Sequence, residues 1–388
     1  MKVAFFIGVV KENIDGVSNS LFRLLDFLSL HRVESIVFST SIPRNKHGAK
    51  FVKVSSVPLP FYKEYRLALL AGIAVDKNIK KFKPDIIHIM SPCPLGLYGA
   101  LYGKKHRIPV VATYHTHFAS YAKYYSVEFL EKIGWSYLKY LYANCQSTYV
   151  PSKPVLLELR KHGLKHLFHL PHGVDTSMFN PEHRSLKWRQ SVGAEKKVVL
   201  LYVGRLVWEK DLRVLAKSYR LLRKKRKDFI LVIVGSGPIR DELKKLMPGA
   251  KFLGAKFGKD LSVAYASSDI FVFPSTTETF GLVTLEAMAS GLAVVVADEG
   301  GSRSLVEHEK TGLLTKPRNS LDFARKVNHL IHDLDEREKL SFAALQFAQH
   351  QDWEFIFQKQ LRYYRQILKK FPRRRKTRRK NRLWRKRR

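Results

Sequence analysis

Val198-Val199-Leu200-Leu201-Tyr202-Val203-Gly204 is a run of apolar residues that closes on a glycine. No polar residue alternates with the apolar ones, so the run predicts a strand covered on both faces, as in a parallel sheet. Residues 229–235, 269–273 and 293–297 repeat the pattern. Around them, residues 212–224, 239–246, 282–289 and 322–334 carry apolar positions at helical spacing. Strands alternating with helices predict a doubly wound α/β domain. An earlier series predicts a second one. It has strands at 2–10, 35–39, 85–89 and 109–114 and helices at 18–30, 58–82 and 128–142. Residues 169–182, rich in Pro and Gly, read as the linker. The expected architecture is therefore two Rossmann-like α/β domains facing a central cleft.

The length of 388 residues fits two domains, and 45% hydrophobic content with 24 Phe supplies a core to each. That composition excludes a wholly disordered chain. Cys93 and Cys145 are the only cysteines, which leaves no disulfide framework and no cysteine-rich metal site. A reducing cytoplasm suits such usage. No apolar stretch reaches the ~18 residues that span a bilayer. The apolar run at 1–10 stops at Lys11-Glu12 with no small-residue cleavage site, so a first buried strand is preferred to a signal peptide. The net charge is +37, and residues 373–388 hold twelve Lys and Arg with no acid. Such a chain seeks polyanions, either nucleic acid or an anionic membrane face. The tail, 372–388, is too poor in apolar residues to fold alone and is expected to be disordered or to fold on contact.

Gly204-Arg205-Leu206-Val207-Trp208-Glu209-Lys210-Asp211 leaves the carboxyl end of a predicted strand, where ligands of open α/β sheets bind. Arg205 and Lys210 can project two cations into the cleft, suited to a diphosphate that gains charge as it leaves. Two solvated surface charges are the alternative. Glu278 and Glu286 sit eight residues apart in Pro274-Ser275-Thr276-Thr277-Glu278-Thr279-Phe280-Gly281-Leu282-Val283-Thr284-Leu285-Glu286. The start of that helix offers unpaired N–H groups and a positive dipole end to a phosphate, with carboxylates alongside for sugar hydroxyls. Leu282, Leu285, Met288 and Ala289 mark the helix as mostly buried, so Glu286 needs a partner such as a ligand. The plainer reading makes Glu278 an acid of the first turn and Glu286 a surface residue.

Val234-Gly235-Ser236-Gly237-Pro238 permits a ligand to approach backbone, or is a plain turn, and falls short of the dinucleotide fingerprint. Thr113-Tyr114-His115-Thr116-His117 could ligate a metal only with further ligands that the sequence does not show. One cleft histidine that hydrogen-bonds substrate is preferred there, and a buried structural histidine is the alternative. Asn13-Ile14-Asp15-Gly16-Val17-Ser18 is a strand-to-helix turn in which Gly16 can approach phosphate, or a simple turn capped by Ser18. The lone Asp-x-Asp, Asp333-Leu334-Asp335, lies at the end of a predicted surface helix, so no carboxylate metal site is evident.

Taken in order, Gly16, Asp85-Ile86-Ile87-His88, His115-Thr116, Pro171-His172-Gly173-Val174-Asp175, Gly204-Arg205 with Lys210, Gly235-Ser236-Gly237, and Glu278 with Phe280-Gly281 and Glu286 resemble the retaining glycosyltransferases of family 4, which have the GT-B fold. The likeness covers roughly residues 1–365. It implies an acceptor-side domain at 1–172, a nucleotide-sugar domain at 173–352 and a last helix at 353–371 that crosses back. It also implies that Arg205 and Lys210 bind the donor diphosphate, with Gly16 approaching it from the other domain. Glu278, Phe280, Gly281 and Leu282 would hold the transferred sugar, Glu286 the ribose, and His115 would stand at the reaction centre. The family is metal-independent, retains anomeric configuration and needs no enzyme nucleophile or cofactor, so Glu278 would orient the sugar. Asp15 stands where the family often carries a paired glycine.

The stretch Tyr114-His115-Thr116-His117-Phe118-Ala119-Ser120-Tyr121 is similar to a branch of bacterial α-mannosyltransferases and glycolipid-forming enzymes. That branch implies GDP-mannose as donor before UDP-glucose, and a lipid-linked or glycolipid acceptor at the cytoplasmic membrane face. Residues 118–142 interleave aromatics with Lys123, Lys132 and Lys139 and read either as an interfacial face or as a buried aromatic helix. Two other functions compete. The charge alone fits a nucleic-acid-binding protein, although no nucleic-acid motif accompanies it. An epimerase or a glucan synthase shares the fold.

Overall fold

The computed structural model of the chain describes residues 1–10, 16–58, 66–68, 71–115 and 128–371. Its strands are β1 (Lys2–Phe6), β2 (Glu34–Ser39), β3 (Lys50–Lys53), β4 (Ser56–Pro58), β5 (Arg66–Ala68), β6 (Ile86–Ile89), β7 (Val110–Thr113), β8 (Ser147–Val150) and β9 (Leu167–His169), then β10 (Val198–Val203), β11 (Phe229–Val234), β12 (Lys251–Gly254), β13 (Ile270–Phe273), β14 (Ala293–Ala297) and β15 (Leu313–Thr315). They build a seven-stranded sheet, β3-β2-β1-β6-β7-β8-β9, and a six-stranded sheet, β12-β11-β10-β13-β14-β15. β1 pairs in parallel with β2 and β6, and β10 with β11 and β13. Strand order reverses at those two places in each doubly wound sheet, and loops leaving the carboxyl ends there form the cleft. The central strands of both sheets are buried on both faces, which is why their sequences read as unbroken apolar runs.

Two predicted elements differ. The strand at 2–10 closes at Phe6, because loop hydroxyls take over from the ladder: Gly8 N–H donates to Ser91 Oγ (2.8 Å) and Val10 N–H to Ser41 Oγ (2.9 Å). The helix at 58–82 begins only at Ala71. Pro58 instead ends β4, which pairs antiparallel with β5, since proline lacks the N–H that a helix interior needs.

The chain crosses between the sheets twice, side by side. Val174 N–H donates to Gln351 O (3.0 Å), and a Cβ on Gly173 would lie 2.7 Å from Trp353 N, so only glycine fits there. The last helix, Trp353–Lys370, buries Ile356, Phe357, Leu361, Tyr364 and Ile367 in one cluster with Phe5 of β1 and Leu21 of the Gly16–Leu30 helix. A buried polar chain fixes its register. Gln360 Nε2 donates to Tyr364 Oη (2.8 Å), Tyr364 donates to His88 Nδ1 (2.6 Å), and His88 Nε2 donates to Thr113 Oγ1 (2.7 Å). Burial holds the His88 imidazole down at about 3, so it stays neutral and one tautomer satisfies both neighbours.

Candidate active site

Two loops of the second sheet are bolted together at the cleft. Asp211, buried and at φ +53°, ends the turn Trp208–Lys210 after β10. Its Oδ2 accepts the Thr276 N–H (3.0 Å) and the Thr276 hydroxyl (2.7 Å) from the loop after β13. Thr277 Oγ1 donates to Glu209 O (2.8 Å). Arg318 closes over the joint, 3.0 Å from Thr276 Oγ1 and 3.8 Å from Asp211 Oδ1. With the loops so aligned, Lys210 Nζ meets Glu278 Oε1 at 2.5 Å, with only 10% and 20% of the two side chains accessible. Arg205, half exposed, reaches Glu209 Oε1 at 3.3 Å. The predicted diphosphate and sugar groups thus touch directly.

Gly281, at φ +93°, turns the chain into the Leu282–Ala289 helix. A Cβ there would lie 2.3 Å from Ser302 Oγ, so glycine is required twice over. The first helical bonds run from Thr284 and Leu285 N–H to Gly281 O, which leaves the Leu282 and Val283 amides at the helix start without intrahelical acceptors. One turn on, Glu286 accepts from Tyr265 Oη (3.0 Å). Burial pushes its carboxyl up to about 7, against the Tyr265 hydrogen bond and the charge of Arg23. The partner that this glutamate needed is a tyrosine of the protein.

The first sheet supplies the opposite wall. Gly16 opens the Gly16–Leu30 helix, and a Cβ on it would lie 2.9 Å from Leu282 Cδ1. Ser18 lies inside that helix rather than capping it. Arg23 of the same helix pairs with Asp175 in the linker (3.0 Å). His115 follows β7, and its carbonyl accepts from Thr279 Oγ1 (2.8 Å), while Thr279 O accepts from Ser152 Oγ (2.7 Å). The His115 ring lies parallel to His172, centroids 5.3 Å apart. Burial, then His172 and His88, hold its pKa well below the ordinary histidine value. His115 Nε2 is sealed from solvent and has no hydrogen-bond partner.

The structure therefore gathers Gly16, His115, Arg205, Lys210, Glu278, Phe280, Gly281, Leu282 and Glu286 at one cleft. Thr116, His117 and the turn 11–15 lie outside the described residues. The glycines of 235–237 serve packing: a Cβ on Gly235 would lie 1.9 Å from Gly204 O, and one on Gly237 2.1 Å from Leu206 O. At 333–336, Asp333 caps the next helix and Glu336 bonds His329. Their ligand atoms lie within 4.8 Å of one another, with their hydrogen bonds already made. Sequence reading missed Asp211, Tyr265, Thr279 and Arg318, single polar residues whose partners lie far along the chain. Asp211 alone left a signal, standing next to Lys210 as one of the residue types that tolerate a left-handed backbone.

The model of the group 1 glycosyl transferases matches residues 185–347, and that of glycosyltransferase family 4 matches residues 14–178. The chain is 36% identical to the sulfoquinovosyl transferase SQD2 of Arabidopsis thaliana, over 88% of this chain and 68% of that one. It is 31% identical to a GDP-mannose-dependent alpha-mannosyltransferase of Corynebacterium glutamicum, over 95% and 89%. It is 27% identical to the alpha-monoglucosyldiacylglycerol synthase of Acholeplasma laidlawii, over 86% and 88%. Among solved structures, Anabaena Alr3699/HepE in complex with UDP superposes with a TM-score of 0.78 at 20% identity, over 95% of this chain and all of that one. That likeness establishes the GT-B fold. Because the mannosyltransferase match runs nearly end to end and the two family models cover the two halves, the chain belongs to glycosyltransferase family 4.

Proposed function

We propose that this glycosyltransferase moves a hexose from a nucleotide sugar, GDP-mannose before UDP-glucose, to a lipid-linked or glycolipid acceptor at the cytoplasmic membrane face. The observation that carries the reading is the Lys210–Glu278 contact beside the Leu282–Ala289 helix start. It sets a cation for diphosphate next to a carboxylate for sugar hydroxyls. Arg205 adds a second cation, and Glu286 stands one turn down for the ribose. The mannosyltransferase relative supports the donor, and the diacylglycerol-sugar synthase supports the acceptor class.

In the reaction, the bond from the anomeric carbon to the diphosphate oxygen breaks and its electron pair leaves on that oxygen. Arg205, Lys210 and the helix start stabilise the charge that develops. The acceptor oxygen bonds the same face of the sugar and passes its proton to the departing diphosphate, which retains configuration. These fixed cations supply the charge for which other transferases use a metal, so the reading includes metal-independence. Glu278 orients the sugar, and His115 meets it from the first sheet.

Among the described residues, no helix is long and apolar enough to cross a membrane. The Glu128–Ala143 helix buries Trp135, Leu138, Leu141 and Tyr142 and exposes Lys132, Ile133, Lys139 and Tyr140. Residues 118–127 of that stretch lie outside the described residues, and the exposed face of the helix suits an anionic surface. The tail, 372–388, lies outside the described residues. Each Lys or Arg near an anionic leaflet contributes about 1 kcal/mol, less than additively.

A thermal-shift panel of GDP-mannose, UDP-glucose, GDP and UDP, with and without EDTA, tests the donor, because a ligand of the folded state raises its melting temperature. GDP-mannose turnover unaffected by EDTA is expected. Turnover that EDTA abolishes, or stabilisation by no nucleotide sugar, would refute the reading. Removing residues 373–388 should weaken binding to anionic vesicles and spare turnover of a soluble acceptor. Unchanged binding would refute the anchoring role.

A further inference from the structure

His172 lies in the first crossing between the sheets, and rings from three other segments meet on it. The His115 ring is parallel to it, with planes 2° apart and centroids 5.3 Å apart. Phe280, from the loop that carries Glu278, stands edge-on at 5.2 Å. Trp353, the first residue of the last helix, packs at 5.6 Å. Offset-parallel and edge-to-face pairs at these spacings are the favoured aromatic geometries. His172 is 7% exposed, and Gly173 beside it is pressed against Trp353 backbone. Its ring is therefore held from several sides.

His115 is held differently. Its backbone carbonyl is anchored by Thr279, but its ring nitrogen Nε2 has no hydrogen-bond partner. The plane of that ring is set by packing, and the parallel face against it belongs to His172. Burial lowers the pKa of both imidazoles, His172 to about 4, so two uncharged rings stack where two cations would repel.

We propose that His172 is a positioning residue: its ring face fixes the plane of His115 for the donor sugar, and its ring edge ties that plane to the Phe280 loop. The proposal rests on the reading of His115 at the reaction centre. It requires a ring at 172, not nitrogens. His172→Phe should keep kcat within about threefold of the wild type. His172→Ala should lower kcat by ~10–100-fold, the scale of a misplaced reacting group, with donor KM little changed because Arg205 and Lys210 are untouched.

The test measures initial rates with GDP-mannose and UDP-glucose for wild type, His172→Phe, His172→Ala, His115→Ala and the double alanine variant. If His172 acts through His115, the double variant is no slower than His115→Ala. A second readout needs no substrate: acylation of His115 by diethylpyrocarbonate, located by peptide mass mapping. His115 should react slowly in wild type and His172→Phe, and faster in His172→Ala. The proposal is overturned if His172→Phe is as slow an enzyme as His172→Ala, if the two alanine losses add, or if His115 labelling is the same in all variants. Wild type inert towards both donors counts against the proposed function, whereas the labelling pattern still decides the ring stack.

Discussion

Lys210→Met tests the centre of the proposed site, because it separates what the lysine does for folding from what it is proposed to do for chemistry. The lysine side chain is nine-tenths buried, and its partner Glu278 keeps a fifth of its side chain accessible. Methionine preserves the apolar stem and strands the carboxylate. A hydrogen bond to a charged group contributes about 1.5–3 kcal/mol, and a fully buried broken pair costs about 3–5. The accessible fifth of Glu278 favours the lower range, so the loss is about 2 kcal/mol, or about 4–8 °C for a domain of this size. Loss of one fixed charge opposite a developing anion lowers kcat by ~10²–10³. Adding Glu278→Gln removes the stranded charge. The double variant should regain most of the melting temperature and none of the activity. Scanning calorimetry and a coupled assay for released nucleoside diphosphate measure the two. Recovered activity in the double variant would refute the reasoning, because Lys210 would then act only by satisfying Glu278. So would a folded single variant within threefold of wild-type kcat.

Glu286 titrates near 7 in the folded chain and near 4.5 unfolded, so between those values the folded state binds the extra proton and stability falls as pH rises. Glu286→Gln should therefore melt above wild type at pH 8, by about 1–3 kcal/mol, with the gap closing by pH 5; parallel curves would sink the argument. Tyr364→Phe leaves His88 Nδ1 and the Gln360 amide without their shared partner. It should cost about 1–3 kcal/mol by calorimetry while sparing kcat at 25 °C, and an unchanged melting point would show that the latch carries no stability. His115→Phe should flatten the ratio of kcat/KM between GDP-mannose and GDP-glucose while leaving GDP affinity alone, and a preserved ratio would place sugar selection elsewhere.

Much of the fold was legible because burial on both faces of a parallel sheet leaves an unbroken apolar signature. Val198–Val203 and Phe229–Val234 were readable almost to the residue for that reason. β12, Lys251–Gly254, was not, since it is a short, half-exposed edge strand with a charged end. β5 and the last residue of β4 fell inside a stretch whose apolar spacing passes for helix, although Pro58 marked the break. The site shows the same division. Lys210, Glu278 and Glu286 stood out as charges set against glycine turns and a buried helix. Asp211 and Tyr265 did not, because their roles come from hydrogen bonds spanning 65 and 21 residues. His172 and His115 are 57 positions apart and touch only because two crossings fold beside β7.

The polar groups of the cleft are not satisfied evenly, and that unevenness divides the labour of the two sheets. On the second sheet Lys210 and Glu278 answer each other, and Glu286 has Tyr265. On the proposed reading a nucleoside diphosphate arriving there exchanges one charged partner for another, and exchanged hydrogen bonds yield little net free energy. Its affinity then comes from surplus positive charge and from the helix start, features shared by every nucleotide sugar. On the first sheet His115 Nε2 is buried without a partner, a state that costs about 1–3 kcal/mol until a hydroxyl supplies one. On the proposed reading the donor sugar uncovers that nitrogen and places a hydroxyl on it, which relieves the cost, and an epimer that misses it does not. Discrimination between sugars would then belong to the His115 side, and retention of the nucleotide to the Lys210 side. On that reading the carboxylates so conspicuous in the sequence mark a nucleotide-sugar donor but do not select the sugar it carries.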